Sequence, residues 1–119
     1  MIRTRLIFAL AVTAALLSTA QNVATTFYSV RPVEWYFTPS HILGGVFIAL
    51  LILYFADGFS VRPELYMILG TALLVGVAWE ILEYALHLYS PAWDSLSDLV
   101  ADTAGGYLGW LIARHISQT

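Results

Sequence analysis

Glu80, Glu83, His87, Asp94, Asp98 and Asp102 crowd into one short and otherwise apolar stretch of this chain. Carboxylates beside an imidazole can hold a divalent cation, pass a proton, or act as general acid and base. Glu80, Glu83 and His87 follow an i, i+3, i+7 pattern, and Asp94, Asp98 and Asp102 follow i, i+4, i+8. Each set is one stripe on a helix. His41, at the head of another apolar segment, adds a second imidazole. Charge in hydrocarbon is costly, so such stripes belong inside a bundle and mark a candidate site. Five carboxylates cannot all stay ionised there. Some are protonated, a cation neutralises them, or water screens them. Oxygen ligands suit magnesium, calcium or manganese, and imidazole widens the choice to zinc or iron. Neither HExxH nor the Glu-x-x-His of di-iron bundles occurs. The expected metal ligands are Glu80, Glu83, His87, Asp98 and Asp102. The expected catalytic groups are His41, Glu80, Glu83, Asp98 and Asp102.

Plainer roles compete at several of these positions. Asp94 reads equally as a helix cap at a membrane interface, and Glu80 as a cross-helix hydrogen-bond partner. His87 also reads as an interfacial residue, and His115 beside Arg114 as a tail residue. Glu64 suits the dipole at a helix start. Asp98, Asp102, Glu80 and Glu83 are hardest to assign to such roles, because they lie well inside apolar segments.

The elements that would carry these residues are membrane helices. Of the 119 residues, 60% are hydrophobic and 11% are charged, about half the charged share of a soluble domain. With no cysteine there is no disulfide framework, thiolate site or thiol nucleophile. Five arginines without a lysine exclude a basic nucleic-acid surface, so no nucleic-acid partner is expected. Four apolar segments, about 5–24, 39–56, 65–88 and 96–113, approach the roughly 20 residues a spanning helix needs. The expected fold is therefore all-α, a single polytopic membrane helical bundle with four transmembrane helices and the lipid bilayer as partner. Thr38-Pro39 reads as a cap and first turn, Asp57-Gly58 as a stop, and Tyr89-Ser90-Pro91 as the end of the third helix. Asp94 or Ser95 would cap the fourth. Residues 25–38 read as an aromatic interfacial linker.

With four spans, Arg3, Arg5, Arg62 and Arg114 fall on one side and Arg31 on the other. The positive-inside rule then puts both termini in the cytoplasm. In a rival reading, Arg3 and Arg5, an apolar run and Ser18-Thr19-Ala20 form a signal peptide cleaved after Ala20. Counting 1.5 Å per residue from the outer loop puts Glu80 and Asp102 at a similar depth, about 13 Å. His41 joins them from the second helix, in a pocket that faces outward. Gly105 and Gly109 form a small-xxx-small pair, a face for a neighbouring helix or for a second copy of the chain. Gly44, Gly45, Gly70, Gly76 and Gly106 add further sites of close approach.

The run WEILEY at 79–84, the loop after it, and DSLSDLVADTAGGYLG at 94–109 resemble the YjdF-type family of small bacterial inner-membrane proteins, with VanZ-like proteins as more distant relatives. His41-Ile42-Leu43-Gly44-Gly45 fits the same pattern, and the resemblance covers about residues 39–112. Pro91 is followed by Ala92-Trp93, where an arginine would be expected of a VanZ-like protein. The resemblance implies a multi-pass protein of the bacterial cytoplasmic membrane and no settled activity. Three functions are therefore carried forward. One is binding or chemistry on a lipid-linked or envelope substrate through a divalent cation. The others are proton- or cation-coupled transport, and a structural or accessory subunit.

Overall fold

A computed structural model describes residues 2–86 and 92–119, the side chains of Ala92 and Trp93 excepted. His87 and the Tyr89-Ser90-Pro91 stop lie outside the described residues. The described chain is an all-α bundle of four long helices: α1, Ile2–Val30; α2, Thr38–Gly58; α3, Leu65–Ala85; and α4, Ala92–Gln118. A 3-10 turn, Glu34–Phe37, leads into α2. Three stretches are long and apolar enough to cross a membrane: Ile2–Val30, Glu34–Gly58 and Leu65–Ala85.

Helix α1 runs past the expected end near residue 24 and takes up part of the expected linker. Thr25 and Thr26 donate their hydroxyls to the carbonyls of Gln21 and Asn22, both at 2.8 Å. Ser29 donates to Thr26 at 2.7 Å. Each hydroxyl is satisfied on its own helix, so the polar tail need not unwind to find a partner. Thr38 is already helical, with φ −55° and ψ −46°. The 3-10 turn runs straight into α2, so Phe37 takes the cap position and no side chain caps it. Asp94 lies in the first turn of α4 rather than at its cap, where a carboxylate still suits the helix dipole. At the far end of α2, Ser60 rather than Gly58 adopts the left-handed backbone, with φ 56°.

Helix α4 lies between α2 and α3, and α1 covers the other side of α2. Neighbouring residues give the directions. His41, Gly45 and Ala49 meet Asp98, Asp102 and Gly109 in ascending order, so α2 and α4 run parallel. Glu80, Gly76 and Ala72 meet Ser95, Asp102 and Gly106 in opposite order, so α3 and α4 are antiparallel.

Glycine sets how closely α2 and α4 approach. A Cβ on Gly45 would collide with the Asp102 carbonyl oxygen, and one on Gly105 with that of Ile42. One on Gly109 would lie 2.7 Å from the Ala49 Cβ. Gly105 and Gly109 thus face α2 of the same chain. Gly44 and Gly70 have nothing within 4 Å of a Cβ position.

The bundle is segregated along its length. At one end Leu6, Val46, Leu50 and Ala113 form an apolar core from α1, α2 and α4. At the other end, polar groups from α2, α3 and α4 meet. Outside, Phe8, Leu16 and Phe27 on α1 and Leu74, Ile81 and Tyr84 on α3 are exposed. An apolar belt of this kind is what a bilayer would cover.

Candidate functional site

His41 is the centre of the polar cluster. It sits one turn inside α2, on the face turned to α4, and both of its ring nitrogens meet carboxylates. Nδ1 is 3.0 Å from Asp102 Oδ1, and Nε2 is 3.3 Å from Asp98 Oδ2. The four-residue spacing of Asp98 and Asp102 puts them on successive turns of one α4 face, so the ring bridges them. Gly76 makes the opposite wall, where any side chain would strike the Asp102 carboxylate.

Glu80 enters from α3. Ser95 donates to its Oε2 at 2.7 Å. Its Oε1 is sealed from solvent and accepts no hydrogen bond from the described residues. A buried acceptor without a donor costs about 1–3 kcal/mol, and more when charged. One ligand atom each from His41, Glu80 and Asp98 lies within 4.8 Å of the other two. The Ser40 hydroxyl, next to His41, is likewise buried without a partner among the described residues.

Glu83 is placed differently. It accepts a 2.8 Å hydrogen bond from Nε1 of the exposed Trp79 on its own helix. It is half-buried on the same stripe as Glu80, one turn further along α3, but it is not in the His41–Glu80–Asp98 group. Asp94 is buried and lies ahead of the apolar stretch 96–113. Burial, and then the negative charges of Asp98, Glu34 and Glu80, push its carboxyl up to about 6. Glu34 lies near this end of the bundle and accepts a 3.2 Å hydrogen bond from the Tyr28 hydroxyl.

Ser95 and Gly76 are the two contributors whose site roles the sequence left unread. Ser95 had a second reading as a cap. Its position three residues before Asp98 was the available sign that it shares the α4 face. Gly76, one turn before Glu80, was legible only as a point of close approach.

The protonation of His41 decides the chemistry open to this arrangement. If only Nδ1 carries a proton and donates it to Asp102, the Nε2 lone pair points towards Asp98 and is free to bind a metal. If both nitrogens are protonated, the imidazolium donates to both aspartates and stores a proton. No family model, curated protein or solved structure matches the chain. The likeness to YjdF-type and VanZ-like proteins therefore rests on the sequence runs alone.

Proposed function

We propose that this chain is an integral protein of the bacterial cytoplasmic membrane, with both termini cytoplasmic, that binds a divalent cation in the outward-facing pocket of His41, Glu80 and Asp98. The cation would meet a phosphate-bearing headgroup of a lipid-linked or envelope substrate. The observation that carries this reading is the convergence of those three residues within 4.8 Å, with one glutamate oxygen buried and unpaired among the described residues. A separation of 3.3 Å between Nε2 and the Asp98 oxygen suits two ligands of one ion at about 2.0–2.2 Å each. Asp102 would act as a positioning residue: accepting from Nδ1–H, it fixes the ring and its tautomer. Three protein ligands leave a coordination position for a substrate oxygen. The likeness of residues 79–84 and 94–109 to a family of inner-membrane proteins supports the location.

The test is metal analysis and calorimetric titration of detergent-purified protein with zinc, manganese and magnesium. Wild type should bind one ion per chain. Glu80→Gln and Asp98→Asn should each lower affinity at least tenfold while circular dichroism remains helical. Glu83→Gln should bind as wild type does. Wild-type protein that takes up none of the three ions would refute the cation site.

A second reading, proton-coupled transport, is favoured by the carboxylates on both nitrogens of His41, which would form a short relay. Proton flux into proteoliposomes that His41→Gln removes, without metal dependence, would select it over the first.

A further inference from the structure

The opposite end of the bundle carries a second polar feature, unrelated to the acidic pocket. A cleft of about 590 Å³ opens where α1, α4 and the α2–α3 turn meet. Leu53, Val61 and Trp110 contribute its apolar lining, and Arg62, Arg114 and Asp57 its charged lining. Arg3 lies beside it, its guanidinium 4.6 Å from the centre of the Tyr54 ring and against Gly58. The Arg114 guanidinium stands 4.8 Å over the Trp110 ring. Among the described residues, ion pairs within 4.0 Å occur only at His41. Arg3, Arg62 and Arg114 therefore have no carboxylate partner there, although Asp57 shares the cleft. The balance is three positive charges against one negative.

The position is specific. The cleft lies at the ends of apolar helices, where a spanning protein meets lipid headgroups. An arginine fork matches phosphate geometry, and stacking on Tyr54 and Trp110 leaves guanidinium edges available to oxygen. Val61, in the α2–α3 turn, is exposed and adds an apolar surface along which acyl chains could lie. A soluble phosphate would use the arginines but leave Leu53, Val61 and Trp110 without a partner.

From this combination we infer that the cleft of Arg62, Arg114 and Trp110 is a binding site for an anionic phospholipid. The lipid phosphate sits between the arginines and its acyl chains lie along the Leu53–Val61 wall. Of the common anionic headgroups, glycerol fits Asp57 well, because its hydroxyls can donate to that carboxylate. An ammonium headgroup would cancel the charge of its own phosphate and gain little from the net positive rim.

The experiment uses full-length protein in a zwitterionic detergent and follows indole fluorescence. The protein is titrated with dibrominated phosphatidylglycerol, phosphatidylcholine or phosphatidylethanolamine. Glycerol 3-phosphate serves as a soluble competitor. Phosphatidylglycerol should quench saturably, with a midpoint at least tenfold below those of the other two lipids. Trp110→Phe should remove most of the saturable signal. The pair Arg62→Gln and Arg114→Gln should raise the midpoint roughly thirtyfold, as expected when about 1 kcal/mol is lost per arginine. Arg62→Gln alone, in an exposed turn, should give a few-fold shift and carries the test should the double variant not fold. Arg31→Gln, at the far end of the bundle, should change nothing. Equal midpoints for the three lipids, or no change in the arginine variants, would overturn the site. Full competition by glycerol 3-phosphate would overturn the lipid assignment in favour of a soluble phosphate.

Discussion

Glu80 and Glu83 are three residues apart on α3, yet they meet different partners. Glu80 turns to Ser95 on α4, and Glu83 to Trp79 on its own helix. Both lie on the partly covered stripe of α3, but Glu83 stands one turn nearer the helix end, where Trp79 engages its carboxylate. Site loss should accordingly follow Glu80 and spare Glu83. Asp94 allows a pH test. Its carboxyl ionises near 6 in the fold against an ordinary 3.8, so folding favours the protonated form. Wild-type stability should fall as pH rises between about 4 and 6, the window in which the folded state holds the extra proton. Asp94→Asn has no charge to gain. Its melting temperature relative to wild type should be higher above pH 6 than below pH 4. A difference that is flat across that range would show that Asp94 is not held in a protonation-sensitive setting.

Among the elements, α4 is the least apolar of the long helices, yet it buries Asp94, Asp98 and Asp102. Its aspartates and glycines lie on faces turned to α2 and α3, while Leu96, Val100, Tyr107 and Leu111 are exposed. Glycine within a helix costs roughly 0.5–1 kcal/mol relative to alanine. At Gly45 and Gly105 that loss is offset by backbone contact that no larger residue permits. Gly105→Ala should therefore lower stability by about 2 kcal/mol or more, because its Cβ would meet the backbone of Ile42 rather than a movable side chain. Gly44→Ala and Gly70→Ala, both into open space, should be neutral or stabilise by up to about 1 kcal/mol. Thermal unfolding in one detergent would rank the three. Equal losses at all three positions would mean that propensity, rather than packing, governs these glycines.

The whole molecule measures 44 × 24 × 20 Å. Its long axis matches a bilayer with headgroups, about 40–45 Å. Charge is divided along that axis. Arg3, Arg5, Arg62 and Arg114 gather at one end, where Arg5 donates to Thr119 Oγ1 at 2.8 Å and ties the two chain ends together. Most of the acids lie at the other end. If the arginine end faces the cytoplasm, a cysteine replacing Ser29 should react with an impermeant maleimide on intact cells, whereas one replacing Ser60 should react only after permeabilisation. Labelling of Ser60→Cys from outside would invert the orientation and turn the acidic pocket inward.

Helix content and the approximate positions of the four long helices were legible in the sequence, because long apolar runs between polar breaks have few other stable forms. The stripe spacing also marked Asp98 and Asp102 as inward-facing, since helical periodicity is a local property. The helix ends were less legible. The hydroxyls of Thr25, Thr26 and Ser29 look like linker chemistry until their own carbonyls satisfy them. The tertiary structure alone decided which helices share the site. A parallel α2–α4 pair cannot be inferred from either helix separately, because it depends on glycines in one segment matching carbonyls in another, some 60 positions away. That pairing puts His41 between two aspartates, and the antiparallel α3 brings Glu80 to Ser95. Residue types and local period are written along the chain, whereas the rotation of each helix about its axis is set by what its neighbours allow to pack.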